Sequence, residues 1–485
     1  MNIIYSKIFP DKRAGASKSS GIRILLYSIF IVLVLIRCTK EEYEEPYIPI
    51  DEITASSTEL FPDKDTKMVQ VELQFANLEE IAFLRVVKSG GAVYNEEIDR
   101  SELSSPFVFQ YKIKASDPES FKLVLSAVYN DGNESRKVNL NIDNRWGFFI
   151  RKVERIARVT GSPMDDEYFP SPNNTAGDWN VGGTDLGIIW EMDEGQYGVF
   201  FGDTFGWDFT PQPANPGPNG GSWRSNVLAF SENESLDEGL IINSMATDDR
   251  GNAREIIYSA KDNSGQGDFT SIPTAAIRAN GNDYVHYFNM KNWDGWVTNY
   301  SGMYKSEDDG KSWSKCKDII FSANSNFGQA GYFKKDGFVY MIGTHAGRDY
   351  PAHLARFLEK DIENRDRYEY WDGGEWIRGD ENQATIIIDD QVGELSVIYN
   401  QKHEKWIIAY FNGERYNITL RTAKEITGPW SEPYELASGH KYSQLYGSYF
   451  HPKSTEGDDL FFTMSMWLPY NVFLMKATLA DMGKF

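Results

Sequence analysis

From Ile50 to Asn144 apolar and polar residues alternate in short runs, most clearly in Val69-Gln70-Val71-Glu72-Leu73-Gln74-Phe75 and Phe107-Val108-Phe109-Gln110-Tyr111. A period of two puts every second side chain on one face, which is the signature of half-buried antiparallel strands. Phe121 to Tyr129 and Val138 to Ile142 continue the series, with the turn-forming Ser89-Gly90-Gly91 and Asn130-Asp131-Gly132-Asn133 between runs. A small immunoglobulin-like β-sandwich over residues 51–145 is expected, with no visible chemistry and a role as spacer.

Beyond Trp146 the pattern repeats. Five times a polar or small segment enters a strand, turns on Gly, Asp or Asn, and returns as an aromatic strand. The hairpins start at Gly183-Thr184-Asp185, Pro273-Thr274-Ala275, Gly328-Gln329-Ala330, Gly393-Glu394-Leu395 and Tyr446-Gly447-Ser448. Each leaves room for two outer strands, so residues 146–485 read as a five-bladed β-propeller and the chain as all-β. Ser306-Glu307-Asp308-Asp309-Gly310-Lys311-Ser312-Trp313 matches the Asp-box turn between outer strands of some propellers, a structural motif.

The first forty residues change the picture of location. Five basic residues precede an apolar run from Ile24 to Ile36, the length of an export-signal core and short for a membrane span. The run ends at Leu35-Ile36-Arg37-Cys38, similar to a bacterial lipoprotein cleavage site, although Arg37 stands where a small residue is usual. Residues 1–38 are thus a signal peptide, Cys38 the lipidated residue, and 39–50 an acidic linker. An outer-membrane, cell-surface protein held by its lipid is expected. Cys316 stands alone in the repeat region and reads as a buried thiol. A net charge of −22 without a basic patch speaks against nucleic acid as a partner. Aromatic residues at 14% suit a secreted protein handling neutral glycans.

A propeller site lies where the innermost strands begin, here at Asp185, Thr274, Gln329, Glu394 and Ser448. If Asp193-Glu194-Gly195 is a three-residue turn with Gly195 left-handed, paired residues sum to 388 and Asp185 faces Asp203. Like charges opposed at about 5 Å are destabilising and call for a reason. That separation is what a retaining glycosidase needs, and it splits the two pKa values into an acid and a nucleophile. A slip of one residue would undo the juxtaposition.

Gly183-Thr184-Asp185-Leu186-Gly187, Phe201-Gly202-Asp203-Thr204-Phe205-Gly206, Trp223-Arg224-Ser225-Asn226-Val227-Leu228, Ile272-Pro273-Thr274, Tyr284-Val285-His286-Tyr287, Gly393-Glu394-Leu395-Ser396-Val397, Tyr449-Phe450-His451-Pro452 and Pro469-Tyr470-Asn471-Val472 occur in the order of a known family. From Val181 to Ala477 the chain resembles glycoside hydrolase family 183, long a domain of unknown function, whose characterised members are endo-D-arabinanases. The resemblance implies a five-bladed propeller cleaving internal α-D-arabinofuranosyl bonds of cell-wall arabinan (arabinogalactan, lipoarabinomannan) with retention, and maps the catalytic aspartates to Asp185 and Asp203. Asp203 is favoured as nucleophile and Asp185 as acid/base. Other five-bladed glycosidases take their proton donor from a later blade, which leaves Asp185 with Glu394 as the competing pair.

Arg224, Asn226, His286, His451 and Asn471 lie in the family-like motifs and supply groups for sugar hydroxyls. Trp293, Trp296, Trp467 and Tyr470 follow inner strands and offer stacking faces, and His345 and Arg348 sit at the equivalent end of the third hairpin. The histidines lack ligand spacing, so neither metal nor other cofactor is expected. A monomer acting on polysaccharide is the leading expectation. The alternatives are a non-catalytic glycan-binding surface lipoprotein, a propeller glycosidase for a different furanoside, and a sialidase-like enzyme built on Arg224, Arg348 and Arg421. The choice of D- over L-arabinose comes wholly from the resemblance.

Overall fold

The computed structural model describes residues 53–481 apart from positions 61, 63–67, 90–94, 115–116, 118–119, 144–147, 165–166, 212 and 233–234. The signal segment, Cys38 and the acidic linker lie outside the described residues. The chain divides into two compact units between Trp146 and Gly147. It is all-β, with one short α-helix, Thr175–Trp179, among the described residues.

In the first unit the period-two runs are strands. Met68–Phe75 buries alternate residues and pairs with Ile53–Ala55 and Phe107–Lys112 in a three-stranded sheet. A five-stranded sheet runs in the order Glu59–Leu60, Val138–Asp143, Ser120–Tyr129, Ile81–Ser89, Asn95–Asp99. Both sheets contribute to one core, Val69, Val71 and Leu73 from the first and Leu84, Val86 and Leu123 from the second. The inner strand Ile81–Ser89 was not expected. A register shift between Ile81 and Phe83 breaks its alternation, so the sequence there shows no clean period of two.

Among the described residues the second unit holds five antiparallel sheets. Their first hairpins are Leu186–Asp193 with Gln196–Phe201, Thr270–Ala279 with Asn282–Asn292, Gln329–Lys335 with Phe338–Thr344, Leu395–Asn400 with Lys405–Asn412, and Leu445–Phe450 with Asp459–Met466. Outer strands follow in each. The fifth sheet takes Asn471–Asp481 as its third strand and Phe148–Arg158, from the start of the unit, as its fourth. The five first strands neighbour one another in cyclic order, the last returning to the first. They surround a cavity of about 540 Å³ lined by residues such as Ile188, Thr274, Gly331, Leu395 and Tyr449. Because every first strand begins at the same end, whatever precedes it is delivered to one place.

The Asp-box segment is a turn between Val297–Ser306 and Ser314–Ser322. Asp308 accepts from Ser312 N at 2.8 Å and from the Ser312 hydroxyl at 2.6 Å. Trp313 packs edge-on against Trp190 and Phe200. Cys316 is buried, and burial pushes its thiol up to about 12.

Candidate active site

The first hairpin turns with Gly195 at φ +74°, and its pairs sum to 388 from Ile188↔Phe200 to Glu191↔Tyr197. The expected facing of Asp185 with Asp203 is then modified by a bulge. Leu186 (φ +69°) and Gly187 (φ +87°) are both left-handed, Leu186 pairs with Phe201, and the Asp185 carbonyl accepts from Gly202 N at 3.1 Å. The 388 register resumes at the Gly183–Phe205 bridge. Ser465 Oγ accepts from Leu186 N at 2.8 Å and Thr463 donates to the Gly187 carbonyl at 2.6 Å, so the fifth sheet pins the strained turn. Backbone pairing thus sets Asp185 opposite Gly202, whose missing side chain makes room: a Cβ there would lie 2.4 Å from Asp185 Oδ1.

Asp185 is half-buried by exposed area yet ringed by protein. Its Oδ2 accepts from the hydroxyls of Tyr446 at 2.8 Å and Tyr470 at 3.2 Å, while Oδ1 is buried with no partner among the described residues. Burial first, then the charge of Asp203 and, more weakly, of Glu394, push its pKa up to about 7, against the pull of the two phenols. The two aspartates therefore feel each other despite the bulge.

Asp203 is supported differently. Its Oδ1 accepts from Trp223 Nε1 at 2.7 Å and from the Thr270 hydroxyl at 2.9 Å. Thr270 Oγ1 lies 2.8 Å from Ser225 Oγ, which contacts Lys261 Nζ, and Lys261 also pairs with Glu255 and sits 4.4 Å above the Trp223 ring. Burial raises the Asp203 pKa to about 6, with Trp223, Thr270 and the Lys261 charge holding it down and Glu255 adding to the rise.

Glu394 is the third carboxylate. Arg348 clamps its Oε1 through Nε at 3.0 Å and Nη2 at 2.5 Å, and Oε2 is buried and unpartnered among the described residues. The guanidinium rests on Phe411, Tyr446 and Trp296 at 4.8, 5.0 and 5.3 Å. Tyr446 thus links the Asp185 and Arg348–Glu394 groups.

Residues 170–476 match the family described as a domain of unknown function, DUF4185. The chain belongs to this family. Among curated proteins it is 30% identical over 307 residues to notoamide biosynthesis cluster protein J' of Aspergillus versicolor, covering 60% of this chain and 82% of that one. It is 29% identical over 310 residues to protein J of the same kind of cluster in Aspergillus sp. (strain MF297-2), covering 60% and 80%. Among solved structures it is similar to that of a putative hydrolase from Bacteroides ovatus, with 13% identity, TM-score 0.45, and 62% and 86% of the chains covered. It is also similar to an α-L-arabinofuranosidase from Podospora anserina in complex with cellotriose, with 11% identity, TM-score 0.38, and 67% and 96% covered.

In this DUF4185 chain several residues expected to bind substrate are committed elsewhere. Arg224 donates to the carbonyls of Ala253 at 2.8 Å and Asn180 at 2.7 Å, and burial lowers its pKa to about 10. Buried Asn226 donates to Ile257 O and Ser271 O and accepts from Ile256 N and Ile257 N. His286 lies wholly buried between Tyr332 Oη and Gly328 O, and burial lowers its pKa to about 4. His451 accepts from Lys453 N to cap a 3₁₀ turn and packs on Tyr197. Asn471 accepts from Thr160 and donates to Pro469 O. These five hold loops and sheets together through buried backbone groups, with Arg224 Nε and His451 Nε2 the atoms of theirs that are buried without a partner among the described residues.

Tyr470 is buried and offers Asp185 its hydroxyl rather than a stacking face. Trp293, Trp467 and His345 are half-buried: Trp293 is edge-on to Trp296 at 5.0 Å, Trp467 packs on Gly217, and His345 lies 4.2 Å from the Tyr350 ring. Of the expected binders, Arg348 and Tyr470 join the carboxylates. The three arginines of the sialidase-like reading sit in separate networks, Arg421 on Asp390 and Tyr410, Arg348 on Glu394, Arg224 on backbone. Tyr446, Trp223, Thr270 and Lys261 were missed, and only the position of Tyr446 at the start of the fifth hairpin pointed toward the site. Among the described residues no three His, Cys, Asp or Glu cluster as a metal site would require.

Proposed function

We propose that this chain is a retaining glycoside hydrolase that cleaves inside polymers of α-D-arabinofuranosyl units, with Asp203 as nucleophile and Asp185 as general acid and base. One observation carries the reading: two carboxylates with raised pKa values, close enough for the charge of Asp203 to raise that of Asp185, each gripped through one oxygen. Asp203 Oδ2 attacks the anomeric carbon while protonated Asp185 delivers its proton to the departing glycosidic oxygen. The glycosyl ester on Asp203 is then opened by water, whose proton returns to Asp185. Two inversions give retention. Arg348 fixes Glu394 so that its Oε2 accepts a sugar hydroxyl. Exposed Trp207, four residues past Asp203, offers a stacking face for neighbouring sugars, as Trp293, His345 and Trp467 do with their open surfaces.

The sugar class comes from the resemblance to glycoside hydrolase family 183. In the same reading the five sheets are the blades of a five-bladed propeller, the first unit is an immunoglobulin-like spacer, and Cys38 carries a lipid anchoring the enzyme at the cell surface. A capture protein is disfavoured, since binding alone gains nothing from mutually repelling carboxylates.

The test is incubation with arabinogalactan from acid-fast cell walls and, separately, with plant L-arabinan, reading products by chromatography. A ladder of oligosaccharides from the first polymer alone is expected, and Asp185→Asn and Asp203→Asn should each lower turnover at least about a thousandfold while sparing binding. No product from either polymer refutes the proposal. Cleavage of L-arabinan alone corrects the enantiomer.

A further inference from the structure

Four buried polar atoms at the starts of the innermost strands lack any partner among the described residues: Asp185 Oδ1, Gln329 Nε2, Glu394 Oε2 and Ser448 Oγ. They come from the first, third, fourth and fifth sheets. Gln329 is 2% exposed, Glu394 7% and Ser448 0%, so bulk water does not serve them. Cross-strand contacts put them on one level. Ala330 N donates to Thr274 Oγ1 at 3.4 Å, Gly331 packs against Leu395 and Ser396, Phe450 N donates to Ser396 Oγ at 3.0 Å, and Gly447 packs against Leu186. Going round the ring, Thr274, Gln329, Glu394, Ser448 and the Asp185–Leu186 turn are thus successive neighbours.

An unmade hydrogen bond in a buried site costs more than a made one returns, and four together in a native fold call for a ligand. Their chemistry limits what that ligand is. Glu394 Oε2 accepts, Asp185 Oδ1 accepts when ionised and donates when it carries the proton, an amide nitrogen donates, and a hydroxyl does either. The Glu394 carboxylate, and that of Asp185 when ionised, repel an anion, and an outward amide N–H repels a cation. A group of adjacent neutral hydroxyls, each both donor and acceptor, answers all four.

We infer that this ring is the floor of the glycan site, that it takes an uncharged glycosyl unit by its hydroxyls, and that Gln329 and Ser448 are residues setting which sugar is accepted. The inference rests on the glycosidase reading for the roles of Asp185 and Glu394 and adds a selectivity for neutral over acidic sugars that the carboxylate pair alone does not give.

The experiment uses the full chain, with Gln329→Met and Ser448→Ala beside the unaltered protein. Calorimetric titration with arabino-, xylo- and galacto-oligosaccharides and with oligogalacturonate measures affinity, and denaturant unfolding measures stability. The unaltered protein should bind a neutral oligosaccharide and not oligogalacturonate. Each variant should bind it about tenfold more weakly or worse, with an unfolding midpoint unchanged or raised, because a buried unpaired group has been removed. Unchanged affinity in both variants would mean that the ring holds only trapped water and would overturn the inference. So would a fall in stability that accompanies the loss of affinity, binding of oligogalacturonate, or no binding of any neutral oligosaccharide. A neutral oligosaccharide bound in this way but never cleaved would sink the hydrolase reading and leave the ring standing.

Discussion

Asp185→Asn should stabilise the second unit, increasingly so as pH rises. Folding lifts the Asp185 pKa from 3.8 to about 7, so the native state keeps a proton that the unfolded chain has released. A raised carboxyl costs stability above its unfolded pKa, and the cost grows through the interval from about pH 4 to pH 7 and then levels. With about 1.4 kcal/mol per unit, linkage gives roughly 2 kcal/mol of cost at pH 5 and roughly 4 kcal/mol at pH 8. Asparagine keeps the shape and an acceptor for Tyr446 and Tyr470 but cannot ionise. Whatever constant penalty its amide brings, the stability of the variant relative to the parent should improve by about 2–3 kcal/mol between pH 5 and pH 8. Twelve of the thirteen tryptophans lie in the second unit and only Trp146 in the first, so tryptophan fluorescence during guanidinium unfolding mainly follows the second unit. A difference that does not change with pH, or that runs the other way, would refute the burial and mutual repulsion assigned to this carboxylate.

Gly202→Ala should leave a folded protein with activity down about a hundredfold, because the new Cβ would meet Asp185 Oδ1 at 2.4 Å and Leu186 Cδ1 at 2.9 Å and displace the reacting group; steady-state kinetics at a matched melting temperature check it. The parent should show a narrow bell in kcat/KM, with the acid limb near pH 6 from Asp203 and the basic limb near pH 7 from Asp185. Lys261→Met removes a charge that holds the Asp203 pKa down, so the acid limb should move to higher pH while the basic limb stays; an unmoved acid limb would exclude Lys261 from positioning Asp203. Asn226→Ala abandons four buried backbone groups and should cost about 3 kcal/mol or more in urea unfolding; a loss of activity with unchanged stability would return Asn226 to the substrate.

The hairpin count and the Gly195 turn were legible because each depends on local spacing, and the nearness of Asp185 to Asp203 followed from that turn although the bulge sets Asp185 opposite Gly202. The bulge itself was not legible. Nothing in the leucine of Leu186 announces a left-handed backbone, which is imposed by Ser465 and Thr463 from the far end of the unit. Asn226, His286, His451 and Asn471 misled for a related reason. A polar residue inside an apolar strand looks the same in sequence whether it faces a sugar or a stranded carbonyl, and only the partner, often on another sheet, separates the two cases. Trp223, Thr270 and Lys261 are 20, 67 and 58 positions from Asp203 in a chain whose loops bring them to one oxygen or one ring, and no spacing rule links them.

In the proposed mechanism those distant partners also set two identical side chains apart. Each aspartate is desolvated, and each has two neutral donors on a single oxygen. What differs is the cation. The ammonium of Lys261, itself paired with Glu255, lies against the Trp223 ring and the Ser225 hydroxyl and holds the Asp203 pKa down, whereas at Asp185 the guanidinium of Arg348, bound to Glu394, is outweighed by two carboxylates. Asp185 feels two neighbouring carboxylates as well as burial, which favours the protonated form an acid needs. At Asp203 the Lys261 charge partly offsets burial, so its pKa rises less than that of Asp185, which favours the ionised form a nucleophile needs. In the proposed mechanism Glu394 holds Arg348 and adds to the negative charge around Asp185, so that replacing Glu394 with Gln should release Arg348 toward Asp185 and bring the basic limb of the pH profile to lower pH.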